Sequence, residues 1–327
     1  MTATSSIGLL AGIGLAGLAF FAHPGAPDTQ VFVLSVVLVL AGFVVGAAAA
    51  SVHPALPGGA VGVVVLVAVL GTATASLSGT PTAPPLGYGN ANGAFLLCGT
   101  AGLVCCVPRA PEAWRLPAAL AALVTAALCV LTGSIASTIG CVLLVGFMAV
   151  RRVGPAWLWQ LVAGVLIAVP ITMTTLWGSG ILRAPGWVVD AITSQRLALW
   201  SDAVDLVRRF PVIGAGPGEF ALRSATARGD ADLVWAHSEP LQVAAELGLV
   251  GAVLLTVMLV CGIVLLRRDA VILAVLLLPA AVDYVFHFGW VLAAYAVVLG
   301  GVYAGSSASV ASDSFGMGKP VLTPPSP

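Results

Sequence analysis

The chain has 327 residues, of which 60% are hydrophobic and only 8% are charged, and its formal net charge is zero. A soluble domain contains about 25% charged residues, so this composition excludes a soluble globular protein and indicates a polytopic membrane protein. The arginines are scattered along the chain and balanced by carboxylates, so we predict no basic face for nucleic acid.

The six cysteines all lie within apolar stretches, where neither a disulfide framework nor a zinc-binding spacing is plausible. We expect them to be packing residues. The N-terminus lacks a basic segment and a convincing cleavage site, and an apolar run follows it directly. It is therefore predicted to be a first span rather than a removed signal peptide.

A membrane span needs about 20 apolar residues, or somewhat fewer in a short helix, and ten stretches meet this criterion. They lie at 6–22, 31–50, 59–77, 92–107, 117–132, 135–150, 157–177, 241–266, 270–287 and 290–304. Proline and glycine mark the breaks between them. We therefore predict an all-α helical membrane bundle with about ten transmembrane helices and one long external loop that contains short helices.

Arginines in short loops predict the orientation of the bundle. An alternating ten-span topology places three arginine-containing loops on one side, which is then the cytoplasm. Those arginines are Arg109, Arg115, Arg151, Arg152, Arg267 and Arg268. The chain is thus predicted to divide into N-terminal transmembrane helices at 1–177, an external loop at 178–239, C-terminal transmembrane helices at 240–304 and a disordered cytoplasmic tail at 305–327.

The predicted external loop holds 13 of the 26 charged side chains of the protein. A solvated connector would also be polar, but a loop of this length usually carries function or helices of its own. Residues 191–210 have the periodicity of an amphipathic helix that ends at Pro211. Near its end, Asp205 is spaced to pair with Arg208 or Arg209.

Arg196 has no carboxylate three or four residues away on this helix. The planar guanidinium is suited to hold a phosphate, so Arg196 is a candidate phosphate ligand. The alternatives are that it snorkels or pairs with a carboxylate elsewhere in the fold. The glycine-rich run at 211–218 is not a nucleotide loop, because no strand precedes it and no lysine follows it. We expect a turn with close backbone approach, or amide donors for an anion.

The segment Trp235-Ala236-His237-Ser238-Glu239-Pro240 leads into the eighth predicted span. Ser238 or Glu239 is suited to cap that helix and Pro240 to occupy its first turn, so His237 is expected at a rigid helix mouth. A histidine there can act as a general base, oriented by Glu239 or Glu246. The alternative is a solvated or structural histidine.

Further polar residues lie near or within the last predicted spans. Glu239, Gln242 and Glu246 share one helical face, and carboxylates inside a membrane normally face a protein interior or a wet cavity, so these three side chains are candidate substrate-binding residues. Asp283 and His287 are one turn apart near the outer end of the ninth predicted span. They form either a mutually satisfied structural pair or part of the same site.

These features, taken in order, resemble the O-antigen ligase and O-antigen polymerase family of bacterial membrane glycosyltransferases. The resemblance rests on Arg196 with Trp200, on PVIGAGPGEF, and on AHSEPLQVAAELGLVG leading into a span. The run GYGNAN at 87–92 is similar to an asparagine-containing segment of the family. The resemblance is specific over about 195–251, and elsewhere it rests on hydropathy and topology.

The resemblance implies a multi-pass protein of the bacterial cytoplasmic membrane that transfers a glycan from a polyprenyl pyrophosphate, outside the membrane and without a nucleotide. The acceptor is a hydroxyl of a glycan, lipid or protein, and membrane lipids surround the enzyme. By the same resemblance His237 is the general base and Arg196 binds the pyrophosphate. No cofactor and no metal are expected, because the loop contains no clustered carboxylates of the metal-binding kind.

The chain departs from the family where it reads Thr132-Gly133-Ser134-Ile135, because the family often has an arginine at the last of these positions. A second phosphate-binding arginine is therefore missing there, and Arg183, Arg209 or Arg223 are candidate substitutes. Two rival functions remain. One is a small-anion transporter or channel with Glu246, Asp283 and His287 along its path, and the other is a catalytically degenerate relative that only binds lipid-linked glycan.

Overall fold

The computed structural model describes residues 3–23, 25–76, 85–228, 230 and 233–314. Every regular element within those ranges is a helix, and they contain no strand. The predicted all-α class of a polytopic membrane bundle is therefore confirmed.

Fourteen α-helices occur in the part of the chain that the structure describes. In chain order they are α1 Ala3–Ala22, α2 Thr29–Val52, α3 Leu56–Ser76, α4 Gly89–Cys106, α5 Glu112–Leu131, α6 Ile135–Val150, α7 Ala156–Gly178, α8 Gly186–Ile192, α9 Ser194–Arg209, α10 Glu219–Arg223, α11 Ala225–Arg228, α12 Glu239–Leu266, α13 Ala270–Val282 and α14 Gly289–Ser314. Short 3-10 helices follow α4, α12 and α13.

Each of the ten predicted spans coincides with an apolar helix, namely α1 to α7 and α12 to α14. Seven segments of the described chain are long and apolar enough to cross a membrane, and one of them, Glu239–Val282, comprises both α12 and α13. Leu56–Val69 and Ile135–Val150 are shorter apolar helices. The protein is thus a multi-pass membrane protein.

The helices differ in how deeply they are buried. Helix α4 is buried along most of its length and contacts α3, α5, α6, α13 and α14. Helices α1, α2, α5 and α7 instead expose many large apolar side chains. Such surfaces are unfavourable in water and favourable in the hydrocarbon of a bilayer, so α4 lies in the centre of a bundle whose periphery faces lipid.

The short arginine-containing connections meet at one end of the bundle, which we call the arginine end. Arg151 lies 3.7 Å from Asp269, and Ser306 donates a hydrogen bond to the same carboxylate at 2.8 Å. The guanidinium of Arg109 packs against Gly305. The connections α4–α5, α6–α7 and α12–α13 therefore face the same side, as the alternating topology requires, and residues 178–239 cover the opposite end, the loop end.

The described residues between 178 and 239 form four helices and the start of α12 rather than an extended connector. The single helix predicted at 191–210 is in fact two, because α8 ends at Ile192 and α9 begins at Ser194. Between them Thr193 has a φ of 68°, a conformation that turns the chain and that a β-branched residue rarely adopts. After this turn α9 packs on α7 and α12.

The ninth span ends earlier than the sequence predicts. Helix α13 stops at Val282, whereas the predicted span continues to residue 287. Pro279 removes a backbone donor from the last part of the helix, and Asp283 already has the extended φ of −156°. The chain therefore leaves the helix at Asp283, which frees this carboxylate to point at other segments.

The C-terminal helix ends later than predicted. Helix α14 continues to Ser314, so the predicted disordered tail at 305–327 begins too early. The alanines and serines after residue 304 do not stop a helix as proline or glycine would. The rest of the predicted tail, residues 315–327, lies outside the described residues.

Helix α12 is broken at Gly248, which has a φ of 66° and a ψ of −163°. The glycine-rich segment 211–218 inserts its backbone into this break, and Gly216 donates its N–H to the carbonyl oxygen of Glu246 at 2.8 Å. A β-carbon at Gly214 would lie 2.2 Å from the backbone carbon of Glu246. The glycines thus permit a close backbone approach that fixes the loop to the bundle.

We expect Gly248→Ala to lower the free energy of unfolding by roughly 2 kcal/mol or more, because alanine is strained in this backbone conformation. Its β-carbon would also lie 2.4 Å from the carbonyl oxygen of Val212. Thermal unfolding in detergent micelles, followed by circular dichroism, measures the change. Gly164→Ala on α7 is the matched control, because its β-carbon would meet nothing within 4 Å. Equal melting temperatures of the two variants would contradict the prediction.

Candidate active site

The carboxylate of Asp283 joins separate parts of the chain through its Oδ2 atom. Arg196 donates to it from Nη2 at 2.9 Å, and the hydroxyl of Tyr88 donates to it at 2.8 Å. The side-chain amide of Asn90 donates to the same oxygen. Arg196 Nη2 also donates to the hydroxyl oxygen of Tyr88 at 3.2 Å. Arg196 therefore pairs across the fold, which was one of the alternatives left open by the sequence.

The other oxygen of Asp283, Oδ1, faces His237. It accepts a hydrogen bond from the backbone N–H of Tyr284 at 2.8 Å and lies 3.0 Å from Nδ1 of His237. The two atoms are close enough for an ion pair, but the orientation of the ring does not meet the geometry of a hydrogen bond. We call this group of five residues the Asp283 cluster: Arg196, His237, Asp283, Tyr88 and Asn90.

The Nε2 atom of His237 is buried and has no hydrogen-bond partner among the described residues. Buried polar atoms are almost always paired with protein or water, and leaving one unpaired costs about 1–3 kcal/mol. An imidazole nitrogen without a partner therefore marks a position where a substrate atom or water completes the structure.

The backbone around His237 is held in an unusual conformation. Its φ is 50°, in the left-handed region that favours glycine. Trp200 on α9 is fully buried, stacks on Trp177, and donates its Nε1–H to the carbonyl oxygen of His237 at 3.0 Å. Ser238 precedes α12, but its hydroxyl makes no cap and has no partner among the described residues. The helix mouth is thus held by Trp200 rather than by the predicted serine cap.

Each charged member of the cluster lies at a helix end, which explains why they meet. Arg196 is in the first turn of α9, directly after the turn at Thr193. Asp283 follows the last turn of α13, and His237 precedes α12. Tyr88 precedes the first turn of α4. All these helix ends belong to the loop end of the bundle.

The electrostatics of the cluster favour a charged Asp283. Burial alone would raise the pKa of its carboxyl, but contact with His237 and the positive charge of Arg196 outweigh burial and lower the pKa below its usual range. Burial, followed by the adjacent charge of Asp283, raises the pKa of Tyr88 well above the ordinary value. Tyr88 therefore keeps the proton that it donates to Asp283.

Asp283 and His287 do not pair with each other, which excludes the structural pair that the sequence left open. Nδ1 of His287 instead lies 3.3 Å from Oε1 of Glu239. The same oxygen accepts the backbone N–H of Phe286 at 2.8 Å. The reason is that α13 ends at Val282, so residues 283 and 287 are no longer one α-helical turn apart. Glu239 therefore contacts His287 and not His237.

Glu246 and Gln242 hold the glycine-rich segment in place. Oε1 of Glu246 accepts hydrogen bonds from the N–H of Gly218 at 2.9 Å, the N–H of Phe220 at 3.3 Å and Nε2 of Gln242 at 2.8 Å. Gln242 accepts the N–H of Ala236 at 2.7 Å. Both side chains were predicted to bind substrate, but their polar atoms are used by protein groups. The amides of the segment bind the protein's own carboxylate.

The three arginines predicted as substitutes for the missing family arginine lie outside the Asp283 cluster. Arg183, between α7 and α8, and Arg209, at the end of α9, are exposed. Arg223 pairs with Glu219 at 2.6 Å and lies over the ring of Phe210 at 4.9 Å. The structure thus brings Arg196, His237 and Asp283 together, but not these three.

Four residues at the site are not predicted as site residues from the sequence. Tyr88 and Asn90 belong to the run GYGNAN, whose resemblance to the family was the only signal for them. The ring of Tyr284 is edge-on to His237 with centroids 4.6 Å apart. The ring centroid of Trp235 lies 3.7 Å from that of His287. Single aromatic residues near helix ends carry no pattern that reveals such contacts.

Two cavities lie outside the Asp283 cluster. The larger, of about 250 Å³, is an open groove at the turn between α5 and α6. Its lining contains two hydroxyls but no charged side chain: Val130, Gly133, Ser134, Ile135, Thr138 and Ile139. The groove is close to the beginning of α4, because Gly93 packs against Ser134. The smaller cavity lies at the arginine end. Within the described residues no group of three or more metal-ligating side chains is placed to hold a metal ion.

The fold and the cluster define a multi-pass helical membrane protein with a buried carboxylate, guanidinium and imidazole under a charged segment. Residues 120–256 match the family described as O-antigen ligase. The resemblance to that family is therefore confirmed, and it indicates a membrane glycosyltransferase of the ligase or polymerase type that uses a lipid-linked glycan. The match includes Arg196 and His237 and ends before Asp283. No curated protein and no solved structure matches the chain.

We expect Trp200→Phe to lower the free energy of unfolding by roughly 1–3 kcal/mol, because the indole donor to His237 is lost and part of a buried ring is removed. Thermal unfolding in detergent measures this change. The control is Trp187→Phe, because Trp187 is 74% exposed on α8. A Trp200 variant as stable as the Trp187 variant would show that the indole does not hold the helix mouth.

Proposed function

We propose that this protein transfers a glycan from a polyprenyl pyrophosphate to a hydroxyl group of a glycan, lipid or protein acceptor. The reaction takes place on the external face of the bacterial cytoplasmic membrane. One observation carries the proposal: Asp283 contacts both Arg196 and His237, while Nε2 of His237 has no partner among the described residues. The proposed base, His237, and the proposed anion ligand, Arg196, therefore both contact Asp283.

His237 acts as the general base. An alcohol is far too weak an acid to be ionised in advance, so its proton must leave as the oxygen attacks the anomeric carbon. Nε2 receives this proton, the new glycosidic bond forms, and the bond from the anomeric carbon to the pyrophosphate oxygen breaks. Asp283, beside Nδ1, stabilises the imidazolium that results and orients the ring.

Arg196 binds the leaving pyrophosphate. Within the described residues its Nη2 atom contacts Asp283 and Tyr88, and the guanidinium offers further N–H donors. Its side chain keeps 19% of its surface exposed, compared with 3% for Asp283, so Arg196 is the member of this pair that a ligand can meet. Neutralising the negative charge that grows on the leaving group lowers the barrier to glycosyl transfer.

The external location is inferred from the two ends of the bundle. The arginine end collects the basic short connections, which the positive-inside rule assigns to the cytoplasm. The Asp283 cluster lies at the loop end, so it faces the exterior. A lipid-linked donor diffusing in the outer leaflet reaches this end without crossing the membrane.

The transporter and the degenerate relative can each be compared with a feature of the structure. A transporter typically uses a broken helix whose open backbone groups bind an ion. Helix α12 is broken, but the glycine-rich segment occupies the break and protein donors occupy Glu246. A degenerate relative finds support in Ile135, because the groove beside it offers no cation. The arrangement of Arg196, His237 and Asp283 favours an enzyme over both.

We expect His237→Ala to reduce glycan transfer by about a hundredfold or more, which is the usual contribution of a general base. Arg196→Ala should cause a comparable loss by leaving the pyrophosphate without its cation. Transfer is compared at equal amounts of folded protein in the membrane, because each variant also removes a partner of the buried Asp283. Product formed from a polyprenyl-pyrophosphate glycan by purified protein is the measurement, and Arg208→Ala, at an exposed pair with Asp205, is the control.

Three outcomes would contradict the proposed function. Undiminished transfer by the His237 and Arg196 variants would exclude the proposed roles. Wild-type protein that binds the donor without forming product, with every plausible acceptor supplied, would favour the degenerate relative. Flux of a small anion through proteoliposomes without any transfer would favour the transporter.

Asp283→Asn should lower kcat by about a hundred- to ten-thousandfold, because the carboxylate that orients the histidine base and stabilises its imidazolium is lost. Asp283→Glu should restore part of the activity. A purely structural role would reduce the yield of folded protein without lowering the kcat of the protein that does fold.

A further inference from the structure

Two pairs, each made of one carboxylate and one imidazole, lie at the loop end. Each pair joins a residue of the segment 237–239 to a residue of the segment 283–287. The first pair is His237 with Asp283, to which the proposed function assigns the chemistry. The second pair is His287 with Glu239. Each segment thus supplies one histidine and one carboxylate. The ring centroid of Tyr284 lies 4.6 Å from that of His237 and 6.2 Å from that of His287.

The second pair is better placed to meet a ligand than the first. The side chain of His287 is 23% exposed, whereas that of His237 is 8% exposed. One face of the His287 ring contacts Trp235, with ring centroids 3.7 Å apart, and an indole face stabilises a cation. Oε1 of Glu239 is fixed by the N–H of Phe286. The imidazole is therefore held rigidly at the surface beside the Asp283 cluster.

The charge of the site calls for a second cation. A pyrophosphate carries more than one negative charge, and it gains negative charge as the glycosidic bond breaks. Arg196 shares its charge with Asp283, as His287 does with Glu239, so one such cation beside the cluster does not balance a pyrophosphate. Arg183 and Arg209 are exposed outside the cluster, and Arg223 lies over the ring of Phe210, also outside it. His287 is the cationic group that the structure places next to the cluster instead.

We propose that His287, as an imidazolium held by Glu239 and Trp235, is a second ligand of the donor pyrophosphate. This inference rests on the proposed function and adds a residue to the same site. His287 supplies the positive charge that Ile135 does not. Glu239 and Trp235 are positioning residues that keep the ring charged and oriented.

The environment of the ring supports its charged form. Burial lowers the pKa of His287, but the charge and hydrogen bond of Glu239 outweigh burial and raise the pKa above its ordinary value. Glu246, further along α12, adds to the same effect, and Tyr284 is the titratable neighbour on its own segment. The charged form therefore persists to a higher pH than in free imidazole and is lost as the pH rises through the raised pKa.

Binding of inorganic pyrophosphate to the full-length protein in detergent, measured by calorimetry at pH 7, tests the inference without requiring activity. His287→Gln keeps a donor for Glu239 but loses the charge, and it should weaken binding about tenfold. His287→Arg restores a permanent cation and should keep the dissociation constant within about threefold of wild type. His53→Gln, at the arginine end, is the matched control and should bind as wild type does.

The pH dependence separates a charge from a merely structural contact. Wild-type binding should weaken as the pH rises from 6 to about 9, because the imidazolium is lost. In His287→Arg that loss should disappear, and in Glu239→Gln it should begin at lower pH. Identical profiles in wild type and His287→Arg would overturn the inference, since the charge of His287 would then have no part in binding.

Arg196→Gln distinguishes this inference from the proposed function on which it rests. If Arg196→Gln weakens pyrophosphate binding and His287→Gln leaves it unchanged, His287 is not a ligand and the proposed function stands. If neither variant weakens binding, the pyrophosphate does not bind at this cluster, and the proposed function fails as well. Loss in both single variants, with rescue by His287→Arg, supports both.

Discussion

Asp283 accepts hydrogen bonds from a guanidinium, a phenol, an amide and a backbone N–H, while an imidazole nitrogen lies 3.0 Å away. Moving a carboxylate out of water costs several kcal/mol unless it is paired, so the charge is stable there only while these donors surround it. The donors lie at the beginning of α4, in the first turn of α9 and directly after Asp283 itself, and the imidazole precedes α12. The need to neutralise one carboxylate therefore fixes distant segments relative to α13, and the proposed transfer reaction rests on the arrangement that results.

A second buried carboxylate, Glu246, plays a different part. It binds the amides of the glycine-rich segment, and the backbone of that segment fills the break at Gly248. The loop is thus attached to the bundle through backbone hydrogen bonds as well as through the apolar contacts of α9. This attachment explains why a helix that carries Arg196 can hold a fixed position above the bundle, because a loop anchored only at its two ends would move on the scale of the site.

Hydropathy predicted the ten apolar helices, because the length of a span and the cost of charge in lipid are local properties of sequence. The grouping of Arg196 with His237 came from the order of motifs. The order of motifs did not predict the residue that both of them contact, Asp283, because its partners are far away in the sequence. Tyr88 is 195 residues from Asp283, and Arg196 is 87 residues from it. Of the two alternatives left open for Asp283 and His287, a mutual pair is excluded for one local reason, since Pro279 and the extended backbone at Asp283 end α13 before the helical spacing applies. Trp235 and Tyr284 give no periodic signal at all.

Strain and incomplete pairing coincide at a single place, and this separates a working site from a structural cluster. The buried side-chain atoms without partners in the described residues belong to Trp177, His237 and Ser238. Trp177 stacks on Trp200, which holds the carbonyl of His237, and His237 itself has a positive φ. Glu246, equally buried, has its donors in place and regular helical neighbours before Gly248. The fold thus satisfies the polar network around Glu246 and leaves a nitrogen of the strained residue His237 without a partner among the described residues. A ligand that pairs with this nitrogen would offset the free-energy cost of leaving it unpaired.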